Sequence, residues 1–322
     1  MFKPLVQQEV IRLGVIGFEE GNGHPYSWSA IFNGYDPEAM SRCPYPGIPD
    51  YLNKVPKEML RLPNALVTHI WAEDKDEARR TARASLIPHI AERMEDLIGQ
   101  VDAVLLCTDA SEHVKHAGTF LEAGVPVFVD KPMADNEADL ATFIRWFKEG
   151  KPFMSSSCMR YAKEFMPWHV STCELGKLRY ASITMAKSWE RYGIHALEAL
   201  LPIVGPGFLS IRNTGTAERN IIHVKHSSEA ELVIANIADM YGAFGSLQLG
   251  GTAGNAAAMF KDTFYAFKTQ LASFVQYLRS GERPFPFEET TELIKLVIAG
   301  RRSRDEGGRE VKLSELSEVS VR

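Results

Sequence analysis

From Ile11 to about residue 150, short apolar runs alternate with helix-forming stretches, and this alternation narrows the possible folds more than any other feature of the chain. Residues 11–18 read as a buried strand ending in glycine, and 26–33 as a helix. A strand at 65–71 with a helix over 75–84 is expected next, then a strand at 101–108 and a helix over 112–123. A strand at 126–130 and a helix over 137–149 close the series. The run Val101-Asp102-Ala103-Val104-Leu105-Leu106-Cys107-Thr108 is almost wholly apolar, as suits a parallel strand covered on both faces. Such units join by right-handed crossovers into a doubly wound parallel sheet. Residues 34–64, rich in proline, glycine and tyrosine, read as an insertion between the first two strands.

Beyond residue 150 the pattern changes. Strands are expected at 178–187, 223–226, 231–237 and 245–249, with helices only near 260–279 and 287–304. Strands that follow one another without helices between them imply a mixed or antiparallel sheet, hence an α+β domain. A chain of 322 residues is too long for one ordinary core. Two domains are therefore expected, 1–133 (with the insertion 34–64) and 134–322. A net charge of -5 gives no electrostatic reason to expect nucleic acid. No run of about 18 uncharged apolar residues points to a membrane, and the N-terminus has no signal-peptide pattern. Cys43, Cys107, Cys158 and Cys173 are widely spaced, which suits reduced thiols and a cytoplasmic location.

The turn Gly17-Phe18-Glu19-Glu20-Gly21-Asn22-Gly23-His24 opens into a helix. It can set main-chain N–H groups and a positive helix end against a diphosphate. It departs from G-x-G-x-x-G, and Glu19 and Glu20 would repel a diphosphate if they pointed inward. Glu73 and Asp74, after the second strand, are candidates for binding ribose hydroxyls or for capping the next helix. These acids, and the absence of an arginine cluster beside them, favour NAD, with NADP as the alternative. His113 and His116 lie one helical turn apart, but no third ligand is spaced to join them, so no metal is expected.

The segment Val101 to Thr108, with His113, Ala117 and Leu121-Glu122-Ala123-Gly124-Val125-Pro126-Val127-Phe128-Val129-Asp130-Lys131-Pro132, resembles the Gfo/Idh/MocA oxidoreductases. In that family a strand ends at a Thr-containing loop with a following His, and the next strand ends in Glu-Lys-Pro. The resemblance continues through Ser157-Cys158-Met159-Arg160, Gly193-Ile194-His195 and the helix near 288–304. It implies an N-terminal Rossmann domain followed by an open-faced α+β sheet domain, the same α/β architecture the alternation predicts. It also implies cofactor contacts from Gly17, Phe18, Asn22, Gly23 and His24, from Glu73, and from Thr108, Asp109 and His113. Asp130, Lys131 and Pro132 would complete them. Relatives pair through the open face of the second domain, so the resemblance implies a homodimer or homotetramer in which residues 247–259 take part.

Lys131 and His195 are the expected catalytic pair. An ammonium at the carboxyl edge of a parallel sheet can bond a substrate hydroxyl and stabilise the alkoxide that forms as hydride leaves. An imidazole with an ordinary pKa of about 6.5 suits proton transfer near neutrality. Two positions depart from the family pattern: Asp130 replaces Glu, and Arg191 stands where relatives carry the Asp of Asp-x-Gly-x-His. Arginine cannot act as a base but can grip a carboxylate or phosphate. Substrate contacts are accordingly expected from Lys131, Arg160, Arg191 and His195. Trp189 and Tyr192 either stack on a sugar ring or pack in the core, and Glu190 and Glu198 are candidates for orienting His195. The implied activity is an NAD(P)-dependent oxidoreductase acting on a secondary alcohol of a sugar, cyclitol or sugar acid. A non-catalytic dinucleotide-binding or regulatory protein and an NAD-assisted lyase or glycosidase on the same fold stay open as alternatives.

Overall fold

The structure, a computed structural model, describes residues 3–18 and 20–316. It divides into two compact units. The first contains residues 1–130, 145–155 and 267–284 and is therefore not the single stretch 1–133. The reason lies in its sheet. The six strands are β1 (Ile11–Gly17), β2 (Ala65–Ala72), β3 (His89–Ile90), β4 (Ala103–Leu106), β5 (Val127–Val129) and β6 (Phe153–Met154). All pair in parallel in the order β3-β2-β1-β4-β5-β6, so the edge strand β6 comes from beyond residue 150.

Helices α1 (His24–Asn33), α4 (Lys75–Ala84) and α5 (His113–Glu122) make the crossovers. Residues 34–64 hold two short helices, α2 (Pro37–Met40) and α3 (Gly47–Leu52), before the chain enters β2. Helix α6 (Glu137–Lys148) follows β5, and its last residues belong to this unit. So does most of α9 (Thr263–Ser280), whose Phe274 sits 5.2 Å from Phe128 of β5. On Phe128 also rests Trp28 of α1, at 5.3 Å. Strands β4 and β5 are buried along their whole length, as their apolar runs require.

The second unit contains residues 131–144, 156–266 and 285–322. Its sheet is mixed, in the order β12-β11-β7-β10-β9-β8-β13. The strands are β7 (Leu178–Ala186), β8 (Phe208–Asn213), β9 (Arg219–His226), β10 (Glu231–Ile237), β11 (Ser246–Gly251), β12 (Asn255–Met259) and β13 (Val311–Lys312). Only β7 and β10 pair in parallel. Short α7 (Met166–Val170) precedes the sheet, and α8 (Trp189–Val204) and α10 (Phe287–Asp305) cover one face. Residues of the other face alternate with the buried ones and include exposed Tyr180 and Ile221. Among the described residues no helix is long and apolar enough to cross a membrane.

Trp189 ties α8 to α10. Of the two readings of Trp189, packing in the core is the one the structure bears out, and it makes no substrate contact. It is the first residue of α8, it is fully buried, and its indole N–H donates to the Val297 carbonyl at 2.9 Å. The two helices can close on it because each presents a glycine. A Cβ on Gly300 would lie 2.6 Å from the indole nitrogen, and one on Gly193 would overlap the ring. Gly193 of the Gly-Ile-His motif therefore answers a packing demand, not a catalytic one. Gly300→Ala is expected to destabilise the protein by about 1–3 kcal/mol through overpacking. Chemical denaturation measures this, and an unchanged midpoint would mean that the indole shifts without cost.

Candidate functional site

In the first unit, strand order reverses between β1 and β4, and ligands of doubly wound sheets bind at the carboxyl ends of the strands flanking such a reversal. The loops after β1 and β4 both end there. After β1 the chain turns through Gly21, whose φ of +79° suits glycine and where an added Cβ would meet nothing. Asn22 is buried and organises this turn. Its Oδ1 accepts the His24 N–H at 3.0 Å, and its Nδ2 donates to Asp130 Oδ2 at 2.8 Å. The same carboxylate oxygen lies 2.6 Å from His24 Nδ1. Asp130 is itself buried, so it holds the turn in shape. His24 also stacks on Trp28, with ring centroids 4.5 Å apart.

The first turn of α1 is a modest anion site, because Pro25 has no N–H and the His24 N–H is spent on Asn22. Gly23 is closed by the insertion: a Cβ there would lie 2.8 Å from the Tyr45 ring. Of the two acids in the turn, Glu20 is exposed and Glu19 lies outside the described residues. At the end of β2 the two candidate acids separate in role. Asp74 caps α4, accepting the N–H groups of Asp76 and Glu77, while Glu73 stays exposed at the sheet edge. Lys75 points elsewhere, to the carbonyls of Ala91 and Glu92. After β4, His113 Nε2 lies 3.0 Å from the Thr108 carbonyl oxygen, and His116 Nδ1 lies 3.2 Å from the Thr108 hydroxyl. Burial holds the His116 pKa below the ordinary imidazole value. Asp109 caps the short turn ahead of α5, accepting from Ser111. The open space at Gly21, the polar Asn22–His24 turn and the exposed carboxylate of Glu73 fit a dinucleotide diphosphate and ribose.

The second unit begins at Lys131, joined to Pro132 by a cis peptide. The Lys131 ammonium lies 5.5 Å from the centroid of the Tyr192 ring. Tyr192 packs in turn against His195, at 4.9 Å, and Phe244, at 6.2 Å. His195 sits nearly two turns into α8. Its Nδ1 and the Ser157 hydroxyl share a hydrogen bond of 2.6 Å. Ser157 Oγ also accepts the Met159 N–H at 3.0 Å.

Arg160, expected at the substrate, is instead buried in a network of charges. Its Nε donates to Glu198 and its Nη1 to Glu289 at 2.6 Å, with Phe285 4.0 Å from the guanidinium. Glu198 also accepts the Ser157 N–H, and burial holds its carboxyl above the usual carboxylate range even beside Arg160. Burial opposes charge on Arg160 too, but the two carboxylates outweigh it. Glu190 does not reach His195; it pairs with Arg304 at 2.6 Å. Arg191 is exposed on α8. Sequence reasoning missed two site residues, Ser157 and Lys187. The Lys187 ammonium donates to the Tyr192 hydroxyl at 2.6 Å, and its backbone has a φ of +63°, which costs a non-glycine residue about 1 kcal/mol or more.

Residues 50–155 match the model of Gfo/Idh/MocA, an oxidoreductase family with an NAD-binding Rossmann fold. A curated relative from Salmonella typhimurium, provisionally named the oxidoreductase YceM, is 33% identical over 69 residues, which span 21% of this chain and 22% of that relative. A provisionally assigned dehydrogenase from Thermotoga maritima has the same fold. Its TM-score is 0.75, with 19% identity over 95% of this chain and 100% of that one. A scyllo-inositol dehydrogenase from Lactobacillus casei, solved with NAD(H) and scyllo-inositol, gives 0.73, with 12% identity over 95% and 99%. At such identities the likeness is one of fold.

Two outcomes are expected of the buried charges. Arg160→Met leaves two carboxylates without their cation and is expected to cost about 3–5 kcal/mol, with Glu198→Gln added to it recovering part of the loss. Equal stability of the single and double variants would dismiss the coupling. His169, near Arg160 in charge coupling, is held by burial at a pKa of about 4. Its folded-state pKa is below the unfolded value, so its contribution is complete above pH 6.5 and is lost as pH falls toward 4. The melting temperature of wild type should therefore fall more steeply across that window than that of His169→Gln. The difference is roughly 2 kcal/mol after discounting partial exposure.

Proposed function

We propose that the chain is a member of the Gfo/Idh/MocA oxidoreductase family, whose model matches residues 50–155, and that it is an NAD-dependent dehydrogenase acting on a secondary alcohol of a sugar, cyclitol or sugar acid. The observation that carries this reading is the cluster in which Lys131, the first residue after Asp130, stands against Tyr192, whose ring packs in turn on His195. When bound, the nicotinamide receives or returns the hydride at the substrate carbon. Lys131 then acts as a donor toward the substrate oxygen, with the His195 imidazole on the far side of Tyr192 as the second polar group of the cluster. Donors poised where negative charge develops stabilise an alkoxide far more than they stabilise the resting alcohol. Ser157 fixes the rotation of the imidazole, and the buried Arg160–Glu198 pair fixes Ser157.

Arg191, exposed on the same helix, supplies the charge to hold an anionic substituent, which points to a sugar acid or sugar phosphate within this class. The L. casei neighbour acts on a cyclitol, which supports the polyol part of the reading. The exposed sheet face with Tyr180 and Ile221 supports assembly as a homodimer or homotetramer, and the widely spaced cysteines support a cytoplasmic location.

Quenching of intrinsic fluorescence by NADH and NADPH, followed by turnover on a panel of polyols and sugar acids, tests the proposal. NADH is expected to bind at least about tenfold more tightly than NADPH, with Glu73→Ser erasing the preference. Lys131→Met should bind NADH as wild type does and lose about 10²–10⁴-fold in kcat. Absence of dinucleotide binding would overturn the reading. The Arg at position 191 motivates a second reading, a binding protein without catalysis, which predicts quenching by NADH and no turnover on any member of the panel.

A further inference from the structure

A dehydrogenase must move a proton as well as a hydride, and the groups around Lys131 and His195 divide sharply in their ability to do so. Arg191 cannot release its proton. Glu190 is bonded to Arg304, and Glu198 is buried against Arg160 and the Ser157 N–H. The Lys131 ammonium is a donor, and His195 Nδ1 is engaged with the Ser157 hydroxyl at 2.6 Å. Tyr192 differs from all of these. Its ring is bracketed by Lys131 and His195, its hydroxyl oxygen accepts the Lys187 ammonium at 2.6 Å, and it is half-exposed. With the oxygen accepting from Lys187, the phenol proton is directed away from that pair.

The Lys187 side of the pair is built into the backbone. Lys187 follows β7 in the left-handed region at φ +63°. It is held there by its own N–H on the Ala238 carbonyl at 3.0 Å. Asn236, fully buried, adds Nδ2 bonds to the carbonyls of Ala186 and Lys187 at 3.0 and 2.7 Å. Strained residues that the fold holds from several sides concentrate at functional sites. The Lys187 ammonium lies 4.5 Å from the ring centroid of Tyr192, a distance set by its bond to the oxygen.

We propose that Tyr192, paired with Lys187, exchanges the substrate proton. This rests on the dehydrogenase reading above. In the direction of reduction the Tyr192 O–H bond breaks and its proton passes to the carbonyl oxygen. The hydride that the carbonyl carbon receives would be supplied by the reduced nicotinamide when bound, which is thereby oxidised. The phenolate is neutralised by the Lys187 ammonium and regains a proton from solvent. Oxidation reverses each transfer.

The test is steady-state kinetics of the full chain in water and in deuterium oxide, with NADH quenching and thermal unfolding alongside. Tyr192→Phe is expected to lower kcat about 10²–10³-fold, with KM, NADH affinity and melting temperature near wild type. Lys187→Met should lower kcat about tenfold or more and enlarge the solvent isotope effect, and Lys187→Arg should recover part of the rate. An active wild type matched by Tyr192→Phe in kcat and isotope effect overturns this inference alone. If Tyr192→Phe does not fold, an unchanged kcat in Lys187→Met does the same. A wild type that binds NADH but turns over nothing on the panel overturns the dehydrogenase reading and this inference with it.

Discussion

A guanidinium taken out of water needs carboxylates, and at Arg160 the fold supplies two, from helices α8 and α10. That requirement disciplines the second unit. Glu198 can serve Arg160 only if α8 keeps its rotation, and that rotation brings His195, one turn earlier on the helix, to Ser157. Glu289 can serve it only if α10 stays against α8, which the indole of Trp189 and its flanking glycines also enforce. The imidazole is therefore positioned by a chain of bonds that begins in a buried ion and ends at a hydroxyl. Buried pairs of this kind add little net stability, but they penalise every arrangement in which a partner is missing.

Much of the fold was legible because the parallel sheet leaves a strong trace. Strands covered on both faces must be apolar throughout, and β4 and β5 are. Elements without such a trace escaped. Strands β3 and β6 are two residues long, and β12 reads Asn-Ala-Ala-Ala-Met, with no β-branched residue to mark it. Helix α8 opens on Trp-Glu-Arg-Tyr-Gly after a serine whose side chain makes no cap bond, so its start carried no signal.

At the site, Lys131 and His195 could be picked out by residue type and motif, whereas Ser157 and Lys187 could not. The importance of Lys187 comes from a left-handed backbone that sequence patterns assign to glycine or asparagine. Arg160 misled for a related reason. A charged residue beside a motif suggests a ligand contact, and its true partner Glu289 lies 129 positions away in the chain. Asp130, one methylene shorter than the glutamate of relatives, lies within bonding reach of Asn22 and His24.

Tyr45 and Ile48 fill the space beside Gly23, and this gives residues 34–64 a consequence beyond bulk. The contour of the loop after β1 is cast partly by a segment that belongs to no motif and arrives after the helix it supports. Transplanting the glycine turn into another scaffold would carry over its letters without its mould. Conversely, gradual drift in that proline-rich stretch offers evolution a way to retune the grip on a coenzyme while every residue of the turn itself stays the same.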